Sequence, residues 1–261
     1  MVIFFMNILI TGAASGIGYL TALTLAKRGN TVYLTCHADK EVSNLKEKID
    51  DLENIIIMKI DITKKQDIKK VLDLNIDVLI NNAAIAVGGS IIETDIDDMR
   101  KNFEINVFSS FRLLKLVLKQ MMEKDKGRII VMSSLIGHLS LPFTGIYSAT
   151  KASISCMASC LQKELFLQGS NVNVIIIEPG LYHTGFNNVF IDSKYNDGKY
   201  FEDIKGELYN LEHAILKLGE VKKLDSIVIK IVRAVEDEKP KKIYTAPYIQ
   251  SKLVKLYSMF K

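Results

Sequence analysis

Short, nearly continuous apolar runs alternate along the chain with stretches whose apolar residues recur at helical spacing. Residues 7–10, 31–35, 55–60, 77–80, 129–132 and 172–177 are rich in Ile, Val and Leu, are too short for helices, and predict strands. Runs without polar alternation belong to a parallel sheet covered on both faces. Between the first two, residues 19–28 carry Leu20, Leu23 and Leu25 on a helical stripe, closed by Gly29 and Asn30. Strands and helices alternating in this way predict a doubly wound α/β fold. Residues 181–223 break the alternation with mixed aromatic, acidic and glycine residues, which predicts a substrate-covering excursion. A C-terminal segment follows at 224–261, and no linker or repeat interrupts the pattern, so residues 1–261 are read as one domain.

Composition narrows the class. Of 261 residues, 48% are hydrophobic and 25% charged, which excludes disordered and fibrous chains. The balance of 34 basic against 30 acidic residues gives a net charge of +4, too small to predict a nucleic-acid partner. Residues 221–261 hold 10 basic and 4 acidic residues, so the basic excess belongs to the C-terminal segment. Cys36, Cys156 and Cys160 show no CxxC pattern, which predicts neither disulfides nor zinc. Cys156 and Cys160 are read as small core residues. His37, His138, His183 and His213 lack ligand spacing, so no metal is expected. No apolar stretch reaches the about 18 to 20 residues of a membrane span, and a reducing, cytoplasmic setting is expected. Residues 1–6 are apolar but lack the basic region and cleavage site of a secretory signal. They are read as the edge of the first strand or as an extension from a start codon upstream of Met6.

The chemistry begins at Thr11-Gly12-Ala13-Ala14-Ser15-Gly16-Ile17-Gly18, which joins the first strand to the first helix. Glycines there let the backbone turn tightly and approach a pyrophosphate, whose charge meets the helix N-terminus. The spacing resembles the classical short-chain dehydrogenase/reductase family, and further motifs in that family's order extend over residues 6–185. The resemblance implies a Rossmann fold, nicotinamide-dependent oxidoreduction, and dinucleotide contacts from Gly12, Ala14, Ser15, Gly16, Ile17 and Gly18. Asp61, with Ile62, matches the family's acidic position near the adenine. Asn81-Asn82-Ala83-Ala84 looks like its Asn-Asn-Ala-Gly motif, with Ala84 in place of glycine, so that Asn82 and Ala83 are implied cofactor contacts.

At the end of the second strand, NAD-dependent relatives carry a carboxylate for the ribose hydroxyls, whereas NADP-dependent ones carry a small residue followed by a basic one. Here those slots hold Cys36 and His37, with Lys40 nearby, so NADP(H) is favoured over NAD(H). Asp39 remains an alternative partner for a ribose hydroxyl.

Tyr147 and Lys151 stand at i and i+4, one face of a helix, where an ammonium is expected to stabilise a phenolate and lower its pKa toward neutrality. Ser134, 13 positions earlier and after an apolar strand, matches the family's catalytic serine, and Ser133 its structural neighbour. Asn106 matches the fourth member of the catalytic tetrad, which holds a water on the proton path from the lysine. Pro179, Gly180 and Thr184 match the segment along the nicotinamide. Glu178 before the proline is familiar in branches acting on steroids and retinoids.

In the family, loops equivalent to residues 138–143 and 182–190 flank the tetrad. Tyr182, Phe186 and Phe190 therefore predict a small hydrophobic carbonyl or alcohol substrate, a hydroxysteroid being one candidate. The resemblance also implies a homo-oligomer. Residues 251–261 are amphipathic, with Leu253, Leu256, Tyr257 and Phe260 interleaved with lysines. Docking on the chain's own domain or another subunit is preferred there over contact with a membrane surface. Two other readings remain: a nucleotide-binding redox sensor without turnover, and a lyase or epimerase of the related extended fold, whose glycine spacing differs.

Overall fold

The computed structural model describes residues 5–49, 52–194 and 199–259. Among them, β1 (Asn7–Ile10), β2 (Thr31–Cys36), β3 (Ile55–Lys59), β4 (Val78–Asn81), β5 (Gly127–Met132), β6 (Val172–Pro179) and β7 (Ile243–Ala246) form one parallel sheet. Their order is β3-β2-β1-β4-β5-β6-β7. The chain reverses direction across the sheet between β1 and β4, and ligands of doubly wound sheets bind in the crevice at that switch point. The expectations for residues 1–4, Phe260 and Lys261 lie outside the described residues.

The uninterrupted apolar runs follow from burial on both faces. Ile8 and Ile10 pack into one core with Leu34, Leu25 of α1 (Gly16–Lys27) and Ile227 and Ile231 of the later helix 225–236. Leu9 points the other way, with Leu79, Ile129 and Ile176, and meets Leu113, Leu114, Val117 and Ile154 from the helices opposite. Each such side chain contributes about 1.5–3 kcal/mol on burial.

Between the strands run α2 (Asp39–Lys48), the short α3 (Lys65–Lys69), α4 (Ile96–Phe103), α5 (Ser110–Glu123) and α6 (Gly145–Leu167). The excursion at 181–223 contains α7 (Phe186–Lys194) and α8 (Glu202–Gly219), and a bridge between Tyr182 and Val221 closes its base. The C-terminal segment contains α9 (Asp225–Glu236), β7 and α10 (Tyr248–Met259). A bidentate ion pair, Arg28 to Glu236, links α1 to α9.

Three expectations are corrected. The first helix begins at Gly16, and its inward stripe is Gly18, Thr21, Ala22, Leu25 and Ala26, while Leu20 and Leu23 are half-buried. Small residues let α1 approach the sheet closely. Cys156 and Cys160 are exposed, because helical phase turns Ile154 and Ala158 of α6 inward instead. Tyr182 is 2% exposed and belongs to the α1–α9 core, its hydroxyl 2.7 Å from Ser226 Oγ, so it does not line the substrate side.

Candidate active site

The glycine turn sits at the switch point. Gly12 and Gly16 both have φ +59°, a left-handed conformation that other residues adopt at a cost. A Cβ on Gly12 would lie 2.7 Å from Ala83 Cα, and one on Gly18 would lie 2.7 Å from Asn82 Nδ2 and 3.1 Å from Ala13 Cα. The loop after β4 is thus in contact with the turn. Thr11, fully buried, fixes that contact: its hydroxyl accepts from the amides of Asn82 and Ala83, both at 2.9 Å. Asn82 Nδ2 in turn donates to the carbonyls of Thr11 (2.8 Å) and Gly12 (3.0 Å). Ser15, extended, precedes α1, whose first turn carries no carboxylate. Free N–H groups without a competing acid suit a phosphate. Thr184 faces this turn, 3.2 Å from where a Gly16 Cβ would lie. These residues fit a dinucleotide.

At the β2 end, Cys36 is buried, and burial, then Glu41 and Asp39, push its thiol up to about 11. His37 is exposed, with Nδ1 3.0 Å from Glu41 Oε2. The same oxygen accepts from the amides of His37 and Ala38 at 3.1 Å each. Asp39 pairs with Lys59 on β3. Both carboxylates near this corner are therefore engaged. Asp61 follows β3. Partial burial works to raise its pKa but is outweighed by the Thr63 hydroxyl and amide, with Lys64 and His37 adding to them, so it lies below its ordinary value. Ile62 turns its side chain into the core with Ile60, leaving only its main chain toward a ligand.

The candidate residues Ser134, Tyr147 and Lys151 lie where α6 meets the end of β5. Ser134 Oγ donates to the Pro179 carbonyl (3.2 Å) and accepts from the Ile136 amide (3.3 Å), which ties the β5 and β6 ends together. Ser133 Oγ donates to the Lys151 carbonyl (3.0 Å), and Lys151 Nζ donates to the Met132 carbonyl (3.0 Å), so the helix carrying Tyr147 is pinned to the β5 end just before Ser134. Lys151 Nζ lies 5.6 Å from the centre of the Tyr147 ring. Burial pushes the Tyr147 phenol above its ordinary value and pulls the Lys151 ammonium down to about 8. This reverses the expected lowering of the phenol: both groups are enclosed, and desolvation disfavours either charge.

Asn106 occupies a π-helical turn, Glu104–Ser109, between α4 and α5. Such turns recur at functional sites. Its Oδ1 accepts from the Ile85 amide (2.9 Å), and its Nδ2 faces the Ile85 carbonyl (2.8 Å) and Thr150 Oγ1 (3.1 Å). Thr150 donates to the Tyr147 carbonyl (2.8 Å), which connects Asn106 to the tyrosine's own turn of helix.

Phe186 and Phe190 of α7 pack on Tyr147, with ring centres 5.7 and 5.1 Å away. With Ala86 and Ile136 they form an apolar wall beside the phenol. Lys194, buried, lies 4.5 Å over the Phe190 ring and pairs with Glu212 at 2.8 Å, fixing α7 to α8. Beyond the tetrad, His138 Nε2 lies 2.7 Å from Glu178 Oε1. That hydrogen bond raises the His138 pKa, with burial opposing and the carboxylate's charge assisting.

Thr11, Thr150 and Gln250 were not foreseen as site residues. Gln250 Oε1 accepts from the Leu181 amide (2.7 Å) and its Nε2 donates to the Gly219 carbonyl (2.9 Å), so α10 holds the segment after Pro179-Gly180. Among the described residues no group of three or more His, Cys, Asp or Glu converges as a metal site. No helix among them is long and apolar enough to cross a membrane.

Comparison with known proteins adds the following. The family described as short chain dehydrogenase matches residues 6–194. An 11-beta-hydroxysteroid dehydrogenase A of Arachis hypogaea is 30% identical over 235 residues, 85% of this chain and 64% of that protein. A 3-ketodihydrosphingosine reductase of Bacteroides thetaiotaomicron is 30% identical over 184 residues, 69% of this chain and 65% of its own length. The match thus spans a little under two thirds of both relatives. A solved short-chain dehydrogenase from Streptomyces avermitilis superimposes with TM-score 0.79 at 26% identity, covering 97% of this chain and 93% of the other. A Burkholderia phymatum structure in complex with NAD reaches TM-score 0.82 at 18% identity, covering 99% and 94%, a likeness of fold.

Proposed function

Because the chain belongs to the short-chain dehydrogenase family, we propose that it is an oxidoreductase that interconverts a carbonyl and a secondary alcohol with a nicotinamide cofactor, NADP(H) in preference to NAD(H). The observation that carries this reading is the pinning of α6 to the β5 end, which brings Tyr147 and Lys151 to the strand that ends two residues before Ser134. The nicotinamide, when bound, supplies or accepts the hydride. In the reduction direction Tyr147, held in its protonated form by burial, donates its proton to the substrate oxygen. Ser134 hydrogen-bonds the same oxygen as negative charge develops. Lys151 stabilises the phenolate left behind, and Asn106 stands on the water-borne proton path behind it. Gly12, Ala14, Ser15, Gly16, Ile17 and Gly18 cradle the phosphates. Asp61 and Ile62 flank the adenine, Asn82 and Ala83 the ribose side, and Pro179, Gly180 and Thr184 the nicotinamide.

The apolar wall of Ala86, Ile136, Phe186 and Phe190 supports a hydrophobic substrate of the hydroxysteroid or long-chain ketone type. NADPH oxidation across a panel of hydrophobic ketones tests the reading. Cofactor binding without turnover on any of them would favour the redox-sensor alternative.

The NADP preference rests on Cys36 in the acidic slot and on the engagement of Glu41 and Asp39 by neighbours. Cys36→Asp combined with His37→Ala is expected to shift the NADPH/NADH ratio of kcat/KM at least about tenfold toward NADH, since a carboxylate there repels a 2′-phosphate. An unchanged ratio would remove the basis for the preference. Exposed Phe108, Met157, Cys156 and Cys160 on the outer side of the π-helical turn and α6 support a homo-oligomer formed through that face.

The His138–Glu178 pair has a pH signature. The folded pKa of His138 is raised, so the pair's stabilisation is fully present below its unfolded value, about 6.5, and is lost as pH rises through the folded value. The Tm gap between the wild type and Glu178→Gln is therefore expected to be largest at about pH 5.5–6.5 and to close toward pH 9. A gap independent of pH would show that the pair acts only as a neutral hydrogen bond.

A further inference from the structure

Helix α10 meets the rest of the chain along a narrow strip. Gln250, Ser251 and Val254 face inward and are half-buried, whereas Tyr248, Ile249, Leu253, Leu256, Tyr257 and Met259 are exposed. At 100° per residue the inward three span one side of the helix, and the exposed apolar six fill the opposite arc. Tyr248 and Ile249 keep 74% and 73% of their surface in solvent. Lys255 lies on the Tyr248 flank of this arc and Lys252 just inside that edge, with Lys252 Nζ 5.5 Å over the Tyr248 ring, and the helix carries no carboxylate. At the end of α8, Leu218 is 89% exposed and precedes the Gly219 that Gln250 binds. Lys217, Lys222 and Lys223 are exposed there, and the nearby Glu220 is occupied by His183 and Asn187.

We propose that this face docks on an anionic phospholipid surface. An in-plane helix needs an apolar arc, long cationic side chains that reach the headgroups from its flank, and amphipathic aromatics at the boundary, and Leu253 and Leu256, Lys252 and Lys255, and Tyr248 and Tyr257 supply these. Charge decides against a second copy as the occupant. A two-fold interface built on this face would set Lys252 and Lys255 against their own equivalents, with no carboxylate on the helix to separate them. A negatively charged bilayer is complementary to the same lysines. Because α10 also packs against the turn Leu135–His138 beside Ser134, docking would bring the active-site region close to the bilayer, where apolar carbonyl compounds concentrate.

The test is binding rather than turnover, so it stands whether or not the proposed reaction is correct. The full chain is sedimented with vesicles of phosphatidylglycerol and phosphatidylcholine and, separately, of phosphatidylcholine alone. Binding is expected to the first and not the second, and to fall with added salt. Lys252→Gln with Lys255→Gln is expected to weaken it roughly 25-fold, taking about fivefold per lysine. Leu253→Glu with Leu256→Glu is expected to abolish it with Tm and cofactor Kd unchanged. Equal binding to both vesicle types, or no loss in either double variant, would overturn the proposal. So would a wild-type dimer that Leu253→Glu with Leu256→Glu dissociates in the absence of any vesicle binding.

Discussion

Tyr147→Phe is expected to lower kcat/KM for carbonyl reduction by about 1,000-fold, inside the 10²–10⁴ range for a positioned general acid. The phenyl ring keeps its packing against Phe186 and Phe190, and the Lys151 ammonium keeps its bond to the Met132 carbonyl. Folding and cofactor Kd should therefore be unchanged, which separates loss of the proton from loss of the site. The measurement is steady-state NADPH oxidation beside a binding titration. A decrease smaller than about tenfold would move the acid to another group and leave Tyr147 a wall residue. An enclosed phenol starts protonated, so the reductive direction should show the wider pH plateau, with activity falling only at alkaline pH.

Gly12→Ala is the second large effect and acts through the backbone. An alanine must adopt a φ of +59° and place its Cβ 2.7 Å from Ala83 Cα, a main-chain atom held by the Thr11 hydroxyl. Left-handed strain of about 1–2 kcal/mol and overpacking of about 1–3 kcal/mol combine. For a chain of this size each kcal/mol shifts Tm by about 2–4 °C, so a loss of roughly 4–20 °C is expected. Dinucleotide affinity should fall at least about tenfold, because the loops after β1 and β4 separate where a phosphate would be held. Thermal melting with and without NADPH reads both quantities. Gly185→Ala is the control: its φ is +81°, but a Cβ there meets nothing within 4 Å, so strain acts without overpacking. A Gly12→Ala effect no larger than that of the control would place the cost in φ alone.

What could be read from the chain divides by the range of the interaction that fixes it. Central strands such as β1 were legible, since Ile8, Leu9 and Ile10 are each fully buried and leave no polar position among them, whereas the edge strand β3, with Ile56 exposed, was legible from its apolar run alone. β7 was not: it is a four-residue edge strand between Pro240 and Pro247, and Ile243 is exposed. Ser134, Tyr147 and Lys151 were picked out through the family resemblance and lie within 17 residues of one another, while Asn106 lies 28 residues before Ser134. Cys156 and Cys160 were misassigned because an apolar composition was read without its helical phase, which turns Ile154 and Ala158 inward. The π-helical turn had no local signal, because the pairing of Asn106 with Ile85 fixes it across 21 residues. The direction of the Tyr147 shift was also beyond spacing, since it follows from enclosure by α7, far along the chain.

The two bonds of Gln250 bear on when, during folding, the chain becomes competent to bind nucleotide. They reach 69 residues back to Leu181 and 31 back to Gly219, no farther than the 72 residues across which the cradle of Thr11, Gly12, Asn82 and Ala83 closes. Separation therefore does not rank the two, but order of synthesis does, because residue 250 is made long after residue 83. A chain on the ribosome can therefore complete the proposed phosphate cradle once β4 has emerged, but the proposed nicotinamide segment stays unclamped until α10 has been made. Nascent chains ending before residue 250 should hold the adenylate half of the cofactor and release the whole more readily than the finished protein does.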